Sequence, residues 1–180
     1  PHGDCSGTSR QVSLHQPLRV IERDARTIAV TGSPADSIIV GLRHLMADTP
    51  PDLVISGINA GANHAKEVGY SGTVGAAITA RIMGFKAVAL SQFWISRENL
   101  PWDTSRAWLP KTLRKIIEAD EWPPTSIYNI NVPNCTPDEV TGIEMTRLGM
   151  GIGLDMTVER RVDNREKDYF WLRFVKTPGE

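Results

Sequence analysis

Cysteine is scarce in this chain: of 180 residues, only Cys5 and Cys135 carry a thiol. Their spacing suits neither a metal knuckle nor a redox pair. A disulfide scaffold is therefore excluded, and both are read as structural residues of a protein from the reducing cytoplasm. Long apolar runs are lacking too. None approaches the ~18 residues that a membrane-crossing helix requires, and no secretory leader pattern is visible. Neither sign of charge is in surplus, since 20 Lys and Arg stand against 21 Asp and Glu for a net charge of −1. A nucleic-acid polymer as partner would call for a basic stripe, so none is expected. What remains, 41% hydrophobic and 23% charged residues, is the composition of an ordinary globular protein.

The pattern along the chain is α/β. Residues 28–31 form a short β-branched run, and Ser33, Pro34 and Asp36 then supply an N-cap, a first-turn proline and an acid three residues after the cap. Ile38, Ile39, Leu42 and Leu45 recur at helical spacing to about residue 46. The apolar tract 53–56 predicts a strand buried on both faces of a parallel sheet. A Gly/Asn loop over 57–69 follows, then a helix over 71–83 stopped by Gly84, and a second buried strand over 87–90. Strand, helix and strand at this spacing make a βαβ unit with a right-handed crossover expected. A third helix is predicted over 104–117, with a kink or a later start at Pro110. Residues 127–132 alternate apolar and polar up to Pro133. Beyond Gly142, short alternating segments such as 169–174 predict antiparallel hairpins.

The chemistry gathers after the 53–56 strand. In open α/β sheets ligands bind beyond the carboxyl ends of the strands. Asn59 and Asn63 follow such an end, on a loop whose Gly57 and Gly61 permit unusual backbone angles. Ser71, Gly72 and Thr73 open the next helix, so free N–H groups and the positive dipole end meet two hydroxyls and a residue without Cβ. That is a phosphate cradle; the plainer alternative is an N-cap with no ligand. Neither a triphosphate-binding GKS or GKT loop nor a GxGxxG fingerprint is present.

Ser56-Gly57-Ile58-Asn59-Ala60-Gly61-Ala62-Asn63, with Tyr70-Ser71-Gly72-Thr73-Val74, resembles the signature of the SurE survival-protein family. Cys5-Ser6-Gly7-Thr8-Ser9 is similar to the family's serine-bearing loop. Thr31-Gly32-Ser33-Pro34-Ala35-Asp36 is similar to its TGTPAD helix start, and Asn129-Ile130-Asn131-Val132-Pro133 to its NxNxP strand. The resemblance implies a Rossmann-like three-layer sandwich with a hairpin-rich C-terminal extension. It implies a phosphatase that hydrolyses nucleoside 5′- and 3′-monophosphates, working as a homodimer or homotetramer with one divalent cation, Mg²⁺ or Mn²⁺. Family members hold the metal through two adjacent aspartates after the first strand, a loop serine and the asparagine of SGxN. The last two correspond to Ser6 and Asn59. The same resemblance makes Asn63, Ser71, Gly72 and Thr73 the phosphate and substrate contacts.

No Asp-Asp pair occurs in the chain, and Asp120-Glu121 is read as a solvated helix end. The chain opens at Pro1 without Met. It is expected to be a fragment lacking the first strand with its aspartates, as well as the family's C-terminal tail. No catalytic residue is then expected within it, and the chain alone is expected to be inactive. Residues 1–135 are expected to be the core, incomplete at its N-terminus. Residues 136–180 are expected to be a β-rich extension or oligomerisation arm, incomplete at its C-terminus. The alternatives from other classes are a non-catalytic nucleotide-binding module, should the gene itself lack that strand, and a scaffold protein built on the aromatic strand. Ala65 and Lys66 stand where the family has Gly-Asp, and Lys66 is read as a surface lysine. His2, His15, His44 and His64 form no ligand spacing, and only His64 lies in the signature loop.

Overall fold

The computed structural model describes residues 1–3, 5–96, 100–119, 121–122, 124–150 and 154–176, and of residues 154 and 176 the backbone. Asp4, Asp120 and the final four residues, 177–180, lie outside the described residues. The chain divides into two compact units, one of residues 1–63 and 67–146, the other of residues 64–66 and 147–180.

In the first unit, β1 (Val20–Asp24) and β2 (Thr27–Val30) form an antiparallel ribbon. Helix α1 (Pro34–Val40) starts as the sequence predicts. Ser33 Oγ accepts from the Asp36 N–H at 3.0 Å and Asp36 Oδ2 accepts from the Ser33 N–H at 2.8 Å, a reciprocal capping box. The helical spacing past Val40 continues as one wider π-helical turn, Gly41–Leu45.

Three parallel strands make the sheet, in the order β3 (Leu53–Ala60), β4 (Lys86–Gln92), β5 (Tyr128–Val132). Helix α2 (Gly72–Ile82) is the β3–β4 crossover and α3 (Trp102–Ala119) the β4–β5 crossover. The alternation of β4 sends its side chains to opposite faces. Ala87 and Ala89 join Val54, Val74, Ala77 and Ala80 under α2, whereas Val88 and Leu90 join Leu109 and Val132 under α3. Small residues on the first face let α2 approach closely; the second face takes the larger side chains. This is the predicted helix–sheet–helix sandwich.

Two expectations change in detail. The tract 53–56 is not buried on both faces, since Ile55 is 47% exposed. Among the described strands β3 is hydrogen-bonded on one side only, and α3 packs against β5 and leaves Ile55 uncovered. Helix α3 also starts earlier than 104 and runs through Pro110. Pro110 is exposed, so the carbonyl of Arg106, deprived of its partner four residues on, belongs to a turn that water can reach.

The second unit is an antiparallel hairpin, β6 (Leu154–Val162) against β7 (Asp168–Lys176). Asp163 closes its turn: Oδ1 accepts from the N–H of Arg165 at 2.7 Å and of Lys167 at 2.9 Å. One face pairs Val158 with Leu172 and Met156 with Phe174, all exposed.

Candidate phosphate and cation site

The candidate residues lie on three loops of the first unit. The N-terminal loop carries Ser6, exposed at a turn. It is strapped to both helix starts. The Ser9 N–H donates to Tyr70 O at 3.0 Å, and Ser33 Oγ donates to Gln11 O at 2.5 Å. Asp36 takes the N–H and the hydroxyl of Ser13 at 2.9 and 2.8 Å. Two glycines of α2 make room for the strap. A Cβ at Gly72 would stand 2.9 Å from Pro34 Cγ and 3.1 Å from Cys5 O, and one at Gly75 would run into the Ser9 carbonyl. Burial raises the Asp36 carboxyl, but the hydrogen bonds from Ser13 and Ser33 outweigh it and hold the group below the ordinary aspartate value.

At the start of α2, Ser71 is the N-cap and its Oγ accepts from the Val74 N–H at 3.1 Å. The plain capping role is therefore real. It uses the oxygen as an acceptor and leaves the hydroxyl proton to donate. The N–H groups of Gly72 and Thr73 have no hydrogen-bond partner among the described residues. Gly72 is buried and Thr73 half-buried.

The third loop is the end of β3. Gly57 and Gly61 take positive φ, +117° and +140°. Asn59 Nδ2 donates to Gly61 O at 2.7 Å, which fixes the amide plane and turns Oδ1 the other way. Asn63 is buried, its Nδ2 donating to Ser91 Oγ at 2.7 Å. Its N–H donates to Asn131 Oδ1 at 2.7 Å, and its carbonyl accepts from Asn129 Nδ2 at 2.7 Å and Asn131 Nδ2 at 3.1 Å. The structure thus straps the Ser6-bearing loop to the helix start that carries Ser71, Gly72 and Thr73, and holds Asn59 and Asn63 on one loop, the first by Gly61 and the second by Ser91, Asn129 and Asn131. It turns the Asn63 side chain into the protein rather than outward.

No local sequence pattern spells out the grip of Asn129 and Asn131 on Asn63, 66 and 68 residues away. Its trace in the sequence is the polar residue at i and i+2 of an otherwise apolar strand. Lys66 is exposed, as expected of a surface lysine. His2 Nδ1 stands 3.0 Å from Arg23 Nη2, away from any ligand cluster. Both cysteines are free.

The motifs, their order and the sandwich that holds them converge with comparison to known proteins. Residues 1–153 match the family model of the survival protein SurE. The chain belongs to the SurE family. The protein named 5′-nucleotidase SurE in Rhodopseudomonas palustris (strain HaA2) is 46% identical over 178 residues, covering 98% of this chain and 69% of that relative. The one of the same name in Bradyrhizobium diazoefficiens is 42% identical over 188 residues, covering 100% of this chain and 73% of the relative. The crystal structure of the SurE protein from Aquifex aeolicus superposes with a TM-score of 0.77 at 31% identity, covering 95% of this chain and 68% of that one.

The divalent cation that SurE membership implies can be tested against the donors present. Ser6 and Asn59 offer hydroxyl and amide oxygen, hard donors that fit Mg²⁺ or Mn²⁺ and not a thiophilic metal. In donor type they fit; as two neutral groups they do not complete a site. Among the described residues no group of three His, Cys, Asp or Glu stands ready to hold a metal. Asp36 is no substitute, because its oxygens are occupied by Ser13 and Ser33. No helix of the described residues is long and apolar enough to cross a membrane.

Proposed function

We propose that this chain is part of a nucleotidase that hydrolyses nucleoside 5′- and 3′-monophosphates to nucleoside and inorganic phosphate. The observation that carries the reading is the start of α2, where the N–H groups of Gly72 and Thr73 have no hydrogen-bond partner among the described residues and two of the first three residues, Ser71 and Thr73, bear hydroxyls. It belongs to a chain 46% identical to a protein named 5′-nucleotidase SurE.

In this reading Gly72 and Thr73 N–H, with the two hydroxyls, bind the phosphoryl oxygens and orient the ester. Because these donors are fixed before substrate arrives, they stabilise negative charge as it redistributes without reorganising. Gly72, lacking Cβ, lets the Ser6-bearing loop lie against the helix start, where a Cβ would meet Pro34 and Cys5. Asn63 contributes through its backbone and its buried amide, shaping the loop. Ser6 and Asn59 are the proposed cation ligands, with Mn²⁺ or Mg²⁺ as the ion. Such an ion, when bound, polarises the phosphoryl group and lowers the pKa of bound water.

The hairpin of residues 154–176 is the proposed oligomerisation arm within a C-terminal extension of residues 136–180. Support comes from its exposed apolar face, with Val158 at 59% and Leu172 at 67% exposure. A homodimer or homotetramer would cover that face. The proposal includes a cytoplasmic location, supported by the two free cysteines.

The test is phosphate release from 5′-AMP and 3′-AMP by the protein expressed from the complete gene, with Mn²⁺ or Mg²⁺ added. Release from nucleotides is expected, and its absence in the presence of either metal overturns the assignment. Nucleotide binding without turnover would point instead to a binding module.

A further inference from the structure

We infer that Asn131, supported by Asn129, is a positioning residue that holds the 57–63 loop so that Asn59 is presented to the cation. The inference rests on the reading of Asn59 as a cation ligand. Strand β5 sends Tyr128, Ile130 and Val132 to the α3 face, where they join the apolar cluster. Asn129 and Asn131 therefore point to the opposite face, opposite Ala89 and Ser91 of β4 in the register.

There they meet Asn63, a residue past the end of β3 whose N–H and carbonyl have left the strand ladder. A carboxamide carries a donor and an acceptor side by side, as a peptide group does. Asn131 uses both on the backbone of Asn63, accepting at 2.7 Å and donating at 3.1 Å, and so replaces a missing strand neighbour. Asn129 adds a 2.7 Å bond to the same carbonyl, although its own Oδ1 is left buried without a partner among the described residues. An amide oriented against its own oxygen is dedicated to the residue it donates to. Ser91 and the Gln92 carbonyl complete the grip, on Asn63 Nδ2 at 2.7 Å and on the Gly61 N–H at 2.9 Å. Gly61 in turn carries the carbonyl that fixes the Asn59 amide. The path from β5 to Asn59 runs by hydrogen bonds from Asn131 to Asn63, along the backbone through Ala62 to Gly61, and by a hydrogen bond from the Asn59 amide to the Gly61 carbonyl.

Groups that orient a metal ligand typically change metal affinity about 10- to 100-fold when removed. The experiment is calorimetric titration of Mn²⁺ into the protein from the complete gene, for the parent, Asn131→Ala, Asn59→Ala and the double variant. Thermal unfolding is followed in parallel. Asn131→Ala is expected to weaken Mn²⁺ binding about tenfold or more, with the double variant little weaker than Asn59→Ala alone. A purely architectural role would lower thermal stability and leave Mn²⁺ affinity unchanged, and that result overturns the inference. So does a double variant in which the two losses multiply. If Asn59→Ala binds Mn²⁺ like the parent, the ligand reading has failed and this inference falls with it. If only Asn131→Ala is unimpaired, the ligand reading stands and the inference alone fails. Should Asn131→Ala not fold, Asn129→Ala keeps one donor on the Asn63 carbonyl and is expected to show the same effect in smaller measure.

Discussion

Asp36 and Ser13 are joined twice, the carboxylate of a buried helical residue taking both the N–H and the hydroxyl of a loop residue at 2.9 and 2.8 Å. With the Ser33 N–H as a third donor, this anion ties the Ser6-bearing loop to the start of α1.

The tie should be visible in the pH dependence of stability. The folded-state carboxyl of Asp36 lies below its ordinary value, burial pushing it up and the Ser13 and Ser33 hydrogen bonds pulling it further down. The unfolded chain therefore binds the proton first as pH falls. Its stabilisation is present above the ordinary aspartate range, about pH 4, and is lost as pH drops through the lower folded value. Asp36→Asn should cost about 2 kcal/mol or more near neutrality. Urea denaturation at several pH values should show the gap from the parent closing below about pH 4. A gap independent of pH would mean that the charge of Asp36 is not what stabilises the strap.

Thr73→Val replaces a hydroxyl with a methyl of similar shape at the first turn of α2. A hydrogen bond to a charged group contributes roughly 1.5–3 kcal/mol, so phosphate and nucleotide affinity should fall about tenfold or more. Calorimetry with inorganic phosphate reads this directly. Binding equal to the parent's would remove Thr73 from the cradle.

Asn59→Ala should raise the Mn²⁺ concentration needed for nucleotide hydrolysis while leaving circular dichroism and thermal unfolding near the parent's. Asn59 is only half-buried and, among the described residues, its side chain bonds only the neighbouring Gly61 carbonyl, so little of the fold depends on it. Superimposable metal titrations would show that it is no ligand.

Gly75→Ala places a methyl where the Ser9 carbonyl already lies. Both atoms are held by backbone, and overpacking of this kind costs about 1–3 kcal/mol. The expected result is a lower melting temperature together with faster proteolysis in residues 5–16, where the strap must move away. Unchanged melting would show that the strap yields freely.

Residues 1–180 expressed by themselves are expected to release no phosphate from 5′-AMP with Mn²⁺. Ser6 and Asn59 bring no formal charge, and hard cations are seldom held without carboxylates. Turnover would transfer the metal to an acid of this chain other than Asp36, with Asp4 outside the described residues.

What the sequence determined by itself is what neighbouring residues decide among themselves. The capping box of Ser33 and Asp36 spans three residues, and the start of α2 at Ser71 is set by a hydroxyl and an N–H three positions on. The order of strand, helix and strand follows from periodicities within single elements, and the signature loop is legible as contiguous residues. The grip of Asn131 on Asn63 joins residues 68 apart, and that of Asp36 on Ser13 residues 23 apart. Such pairs exist only once β4 and β5 are in register and the loop has crossed two helix starts, and no local pattern encodes that register. The exposure of Ile55 likewise depends on where α3 lies over the sheet, so an apolar run could be recognised as strand but not as half-covered. Pro110 is the reverse case. A strong local signal for a break gave way because α3 buries Leu109 and Thr112 around it, and the carbonyl that loses its i+4 donor falls on the wet side of the helix.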